Sequence, residues 1–161
     1  MNIFGALSSP DRVLNEQVAR QIFDIVPEDG PVIVIMDRDG NYWPSDSQKF
    51  LELNLNEPLL KEICAKINDG AEPVISQINS CGIIAAQLAT EHTNCGYVII
   101  ALPTYNPESI LININLIEML LNQVGLVAKL IEKNNLLYEL KIKQFSEYSQ
   151  NQMFSNRCNF V

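Results

Sequence analysis

Positive charge is scarce in this sequence. Eleven Lys and Arg stand against 19 Asp and Glu, for a formal net charge of −8. A chain this acidic repels phosphate backbones, and no local stripe of Lys and Arg offsets the repulsion, so neither nucleic acid nor an anionic membrane is expected as a partner. Histidine is scarcer still, with His92 alone. The cysteines, Cys64, Cys81, Cys95 and Cys158, form no C-x-x-C pair, so no zinc module or redox pair is spelled out. Free thiols in a reducing, cytoplasmic compartment are the plain expectation. Met1 to Leu7 has no basic stretch and does not read as a signal peptide. A long uninterrupted apolar run is also missing: between Ile110 and Ile131 stand Asn113, Asn115, Glu118, Asn122 and Gln123, which reads against a membrane span.

What is present suits one folded domain. The chain has 161 residues, 47% of them apolar and 19% charged, enough to fill a core. Ser9-Pro10-Asp11 is a helix-start signal, and Val13, Leu14, Val18, Ala19, Ile22 and Phe23 then recur at helical spacing until Pro27 and Gly30. Val32 to Met36 is a short β-branched run of a strand buried on both faces. Asp37-Arg38-Asp39-Gly40 is a tight turn, Asn41-Tyr42-Trp43 the returning strand, and Pro44-Ser45-Asp46 its end.

After a polar stretch, Pro58 opens a helix with Leu59, Leu60, Ile63, Cys64 and Ile67 on one side, closed by Asn68-Asp69-Gly70. Pro73 to Ile78 reads as a strand, and the runs Cys81–Thr90 and Cys95–Leu102 as an antiparallel hairpin. Asn106-Pro107-Glu108 starts a final helix that nothing stops until about Ser146; Gly125 weakens it by about 1 kcal/mol. One domain over 1–146 is expected, followed by a polar, disordered tail over 147–161.

Helix, hairpin, helix, three strands and a long helix make an α+β chain with one five-stranded antiparallel sheet. The order resembles the GAF/PAS superfamily of sensory domains. The carrying segments are Val32 to Trp43, the late hairpin ending Gly96-Tyr97-Val98-Ile99-Ile100-Ala101-Leu102-Pro103, and the exit through Leu116 to Val124. The resemblance covers roughly 10–145. It implies a GAF/PAS-like five-stranded antiparallel sheet with an N-terminal helix and a long C-terminal helix. It also implies a pocket for a small ligand, or its vestige, between sheet and crossover, dimerisation through the flanking helices, and a role in signalling with a partner protein. The Asn-Lys-Phe-Asp-Glu motif of cyclic-nucleotide-binding members and the bilin-attaching Cys-His pair are absent, so no cofactor is assigned.

Asp37-x-Asp39-x-Asn41 starts like an EF-hand loop, but Tyr42 and Gln48 stand where Gly and Glu are needed. His92 and Cys95 supply two metal ligands of the four zinc requires. A cysteine-based sulfoxide reductase needs Cys81 and Cys95 close together. If Thr90 pairs with Cys95, Cys81 falls opposite Thr104, far beyond the roughly 7 Å a disulfide spans. No catalytic residue and no metal site is expected. The candidate ligand residues are Tyr42 and Trp43, with Asp37, Ser45 and Asp46 at the pocket mouth. Gly82, Ala85, Ala86 and Ala89 leave room over one strand, for a ligand or for a closely approaching helix.

The last helix is the strongest signal. From Pro107 to about Phe145 it would be about 57 Å long at 1.5 Å per residue, too long for its own sheet. Its second half carries more apolar positions than one face can bury. Val127, Ile131, Asn134 and Tyr138 are the candidate seam for a second copy, with Asn134 fixing register. The expected function is a non-catalytic sensory or regulatory module acting as a homodimer. The alternatives are a ligand-free structural dimerisation domain and a cysteine redox enzyme.

Overall fold

The computed structural model describes residues 14–27, 30–89 and 94–157. In chain order the elements are α1 (Glu16–Phe23), β1 (Val32–Asp37), β2 (Tyr42–Pro44), α2 (Ser47–Glu52) and α3 (Glu57–Asn68), then β3 (Val74–Ile78), β4 (Cys81–Ala89), β5 (Asn94–Leu102), α4 (Pro107–Ile112) and α5 (Ile114–Arg157). The strands form one sheet in the order β2-β1-β5-β4-β3, every pair antiparallel. The described residues fall into two compact units, one ending at Lys129 and one starting at Leu130.

Side-chain amide or carboxylate caps open the first four helices. Asn15 accepts from Val18 N, Asp46 from Lys49 N, Asn56 from Leu59 N and Asn106 from Ser109 N, each satisfying a first-turn donor that has no partner in the helix. Asn15 is extended, so α1 starts there among the described residues, later than the Ser9 signal. Ser9, Pro10, Asp11 and Val13 lie outside the described residues. The polar stretch after Asp46 is itself a helix, α2, anchored by buried Phe50. The last helix is interrupted at Asn113, whose N–H is shared between Ser109 O and Ile110 O. Asn113 O in turn accepts from Leu116 and Ile117, which restarts the helix as α5. α5 runs to Arg157, past Ser146.

Each sheet face has its own cover. Val32, Val34 and Met36 of β1, Tyr97, Ile99 and Ala101 of β5, and Cys81, Ile83 and Ala85 of β4 share one face. They form one core with Phe50, Leu55, Leu60, Ile63, Cys64 and Ile67 of the crossover. Ile33, Ile35, Ile84, Leu88 and Ile100 are buried on the other face, while Leu102 at the end of β5 is only half-buried. A Cβ on Gly82 would lie 2.7 Å from Ile110 Cδ1, and one on Gly96 2.9 Å from Leu14 Cδ1. α4 and the entry to α1 therefore lie over this second face.

Ile114–Ser149 meets the length and composition of a membrane span, with a mean hydropathy of 1.5 over its most apolar window. Only 17% of that window is buried, Ile117, Val124 and Ala128 being its buried residues.

Candidate functional site

The five candidate ligand residues sit close together in sequence, and all but Trp43 are held by local side-chain contacts. Asp37 accepts from both the backbone N–H and the side-chain amide of Asn41, at 2.8 Å each, closing the β1–β2 turn. Gly40, at φ +91, makes that turn possible. Ser45 Oγ accepts from Ile33 N at 3.0 Å while Ser45 N donates to Ile33 O at 2.7 Å, which extends the β1–β2 pairing by one step. Asp46 caps α2 and lies 3.7 Å from the Lys49 ammonium. Tyr42 and Trp43 are neighbours on a strand and so point to opposite faces. Tyr42 packs on Phe50, with ring centroids 5.6 Å apart, at the margin of the crossover core. The two aromatics do not line one pocket. Ser45 and Asp46 border a cleft of about 260 Å³ together with Phe23, Pro31 and Lys49.

The space between sheet and crossover is filled. Leu60 and Ile63 reach into it from α3 and are almost wholly buried, over Ile83 and Ile99 of the sheet. Its polar margin is closed by the Tyr97 hydroxyl, which donates to Asn68 Oδ1 at 2.8 Å. Among the described residues no buried side-chain oxygen or nitrogen lacks a partner, so no polar group there waits for a ligand.

A larger groove, of about 530 Å³, lies on the other face. Ala86 and Val98 of the sheet and Leu121 and Gly125 of α5 line it, and Glu118 and Lys129 stand at its rim. Glu72 closes the β4 side, its carboxylate accepting from Gln87 N at 2.9 Å, where β3 no longer pairs with β4. The small residues of β4 had pointed to room here, and the structure divides them. Gly82 admits the turn into α4, with Tyr105 O 2.6 Å from where a Cβ would stand. Ala85 belongs to the crossover core, and Ala86 and Ala89 line the groove. The helix that completes the groove is remote in sequence, so β4 alone gave half of the signal.

The thiols are buried and reduced at Cys64, Cys81 and Cys95. Burial pushes the Cys64 thiol up to about 11, and raises that of Cys81 as well, the opposite of nucleophile activation. The hairpin register differs by one step from the Thr90–Cys95 pairing. Leu88 faces Gly96 and Ala89 faces Asn94, leaving Cys95 as the extra residue of a bulge. Cys81 lies at the far end of β4, about 25 Å away along the strands. No disulfide can join them. His92 lies outside the described residues. Among the described residues no three His, Cys, Asp or Glu side chains gather as metal ligands.

In the first unit, Val127 is half-buried beside Val124 and Ala128. In the second, Ile131 is half-buried, and Asn134 and Tyr138 are exposed. Leu130, Leu136, Leu137, Leu140, Phe145 and Tyr148 of that unit are also largely exposed.

No family model matches the sequence, and no curated protein matches it either. Among solved structures, the chain is similar to a GAF domain/HD domain protein from Geobacter sulfurreducens, at 16% identity, over 80% of this chain and 97% of that one. The TM-score is 0.34, a superposition too loose to transfer any site. The architecture is one five-stranded antiparallel sheet with an N-terminal helix and a long C-terminal helix, the arrangement that the sequence resemblance implied.

Proposed function

We propose that this chain is a non-catalytic, GAF-like regulatory module that works as a homodimer through its last helix and acts on a partner protein rather than by chemistry. One observation carries the reading: the second unit is a helix whose Leu130, Leu136, Leu137 and Leu140 are at least half exposed. Apolar side chains in such density on a helix are normally covered. The filled crossover core and the raised thiol pKa values of Cys64 and Cys81 favour assembly over catalysis. Reduced, buried thiols suit the cytoplasm. A net charge of −8 disfavours nucleic acid and anionic membranes.

The test is sedimentation equilibrium of the whole chain at micromolar concentration. A mass of two 18.1 kDa chains is expected, falling to one in the double variant Leu130→Glu, Leu137→Glu. A monomeric wild type overturns the reading.

A second reading is favoured by the groove beside α5, which has an apolar floor and a rim of Glu118 and Lys129. It places a small ligand there rather than under the crossover. A thermal-shift screen should then give hits that Gly125→Leu abolishes, and no hits would leave the ligand-free assembly domain.

A further inference from the structure

Within the first unit, α5 has two apolar faces, and its own sheet uses only one. Ile117, Val124 and Ala128 are buried. Leu116, Met119 and Leu126 are 62%, 52% and 56% exposed. At 100° per residue these three, together with exposed Gln123, fall within an arc of about 80°, centred roughly 140° from the buried face. Their spacing of three, four and three is that of a coiled-coil seam.

We infer that a second copy of this chain packs in parallel and in register along Leu116, Met119, Gln123 and Leu126. The inference rests on the homodimer reading and says which face makes it. Charge selects the occupant. From Ser109 to Ala128 the only charged residue is Glu118, in a chain of net charge −8. Two such acidic chains repel each other over most of their surfaces, and a nearly uncharged face is where they approach at least cost. An unlike partner chosen by charge would find nothing to pair with.

The polar neighbours point the same way. Asn115, Asn122 and Gln123 are amides, and an amide both donates and accepts, so it can bond to its own counterpart where a carboxylate cannot. Gln123 also sets the direction. In a parallel pair it meets the Gln123 of the second copy, and the two amides satisfy each other. In an antiparallel pair centred on Leu121, which sets Leu116 against Leu126, it would face Met119, leaving a buried amide without a partner.

Disulfide trapping tests the arrangement. Leu116→Cys and Leu126→Cys are made singly in the 161-residue chain carrying Cys158→Ser, since Cys64, Cys81 and Cys95 are buried. Both should give covalent dimers on mild oxidation, and Leu51→Cys, exposed on α2, should not. Leu116→Glu should weaken self-association about tenfold or more without changing the circular dichroism spectrum. A sedimenting dimer that fails to cross-link at 116 and 126 overturns this seam and leaves the homodimer standing. A monomeric chain overturns both. Binding of the monomer to neutral phosphatidylcholine vesicles, lost in Leu116→Glu, would make a membrane the occupant instead.

Discussion

Leu60 of α3 and Leu137 of α5 are the same residue type on the same kind of element, and they end in opposite states. Leu60 is fully buried among the crossover core, whereas Leu137 is 58% exposed. The difference lies in what each helix has to lean on. α3 follows β2 and α2 and precedes β3, so the chain itself returns it to the sheet it covers. Among the described residues no strand follows α5, and Leu130, Leu136, Leu137 and Leu140 of the second unit are at least half exposed.

The sharpest break of that comparison is truncation at both sites. Leu60→Ala should cost about 2–5 kcal/mol in a guanidinium titration, from lost burial and the cavity left behind. Leu137→Ala, measured in dilute protein, should stay within about 0.5 kcal/mol. Similar losses at both would mean that the second unit has a core of its own.

The buried side also has a pH signature. The Cys64 thiol is held at about 11 in the fold against an ordinary 9.0. Below about pH 9 the thiol is neutral folded and unfolded, and stability is complete. As pH rises from 9 towards 11 only the unfolded chain ionises, so stability should fall, by about 1–2 kcal/mol at the upper end. Cys64→Ala should flatten part of that slope, and Cys81, shifted in the same direction, should keep another part. An unchanged slope in Cys64→Ala would show that the thiol is reached by water.

The smallest effect separates cap from ligand contact. Asp46→Ala should destabilise by about 1 kcal/mol, because Lys49 N loses its acceptor at the start of α2. Asp46→Asn, which keeps the acceptor, should recover most of it. If Asn fails to rescue, the carboxylate's charge has a use beyond the cap.

Much of the sheet was legible because its signals are local. β-branched runs between turn residues placed β1, β4 and β5 to within a residue or two, and Asp37 to Gly40 announced its turn. α2 was not legible, since a six-residue helix with one buried apolar anchor, Phe50, has too little periodicity to read. The hairpin register came out one step off because its tip pairs Ala89 with Asn94 and a bulge at Cys95 follows, and neither leaves a mark in an apolar run. The pairing of Tyr42 with Trp43 in one pocket failed on the period of two, which alone separates strand neighbours.

The sequence by itself determined the α+β order, the acidic surface and the excess of apolar positions on the last helix, because composition, turn chemistry and periodicity act over a few residues. Only the tertiary structure decided that the crossover helices bury their apolar side chains against the sheet and that a groove opens beside α5. It alone decided which stripe of that helix the sheet consumes. Those outcomes depend on which faces meet across long sequence separations, and a side chain's fate is set by the surface that arrives opposite it.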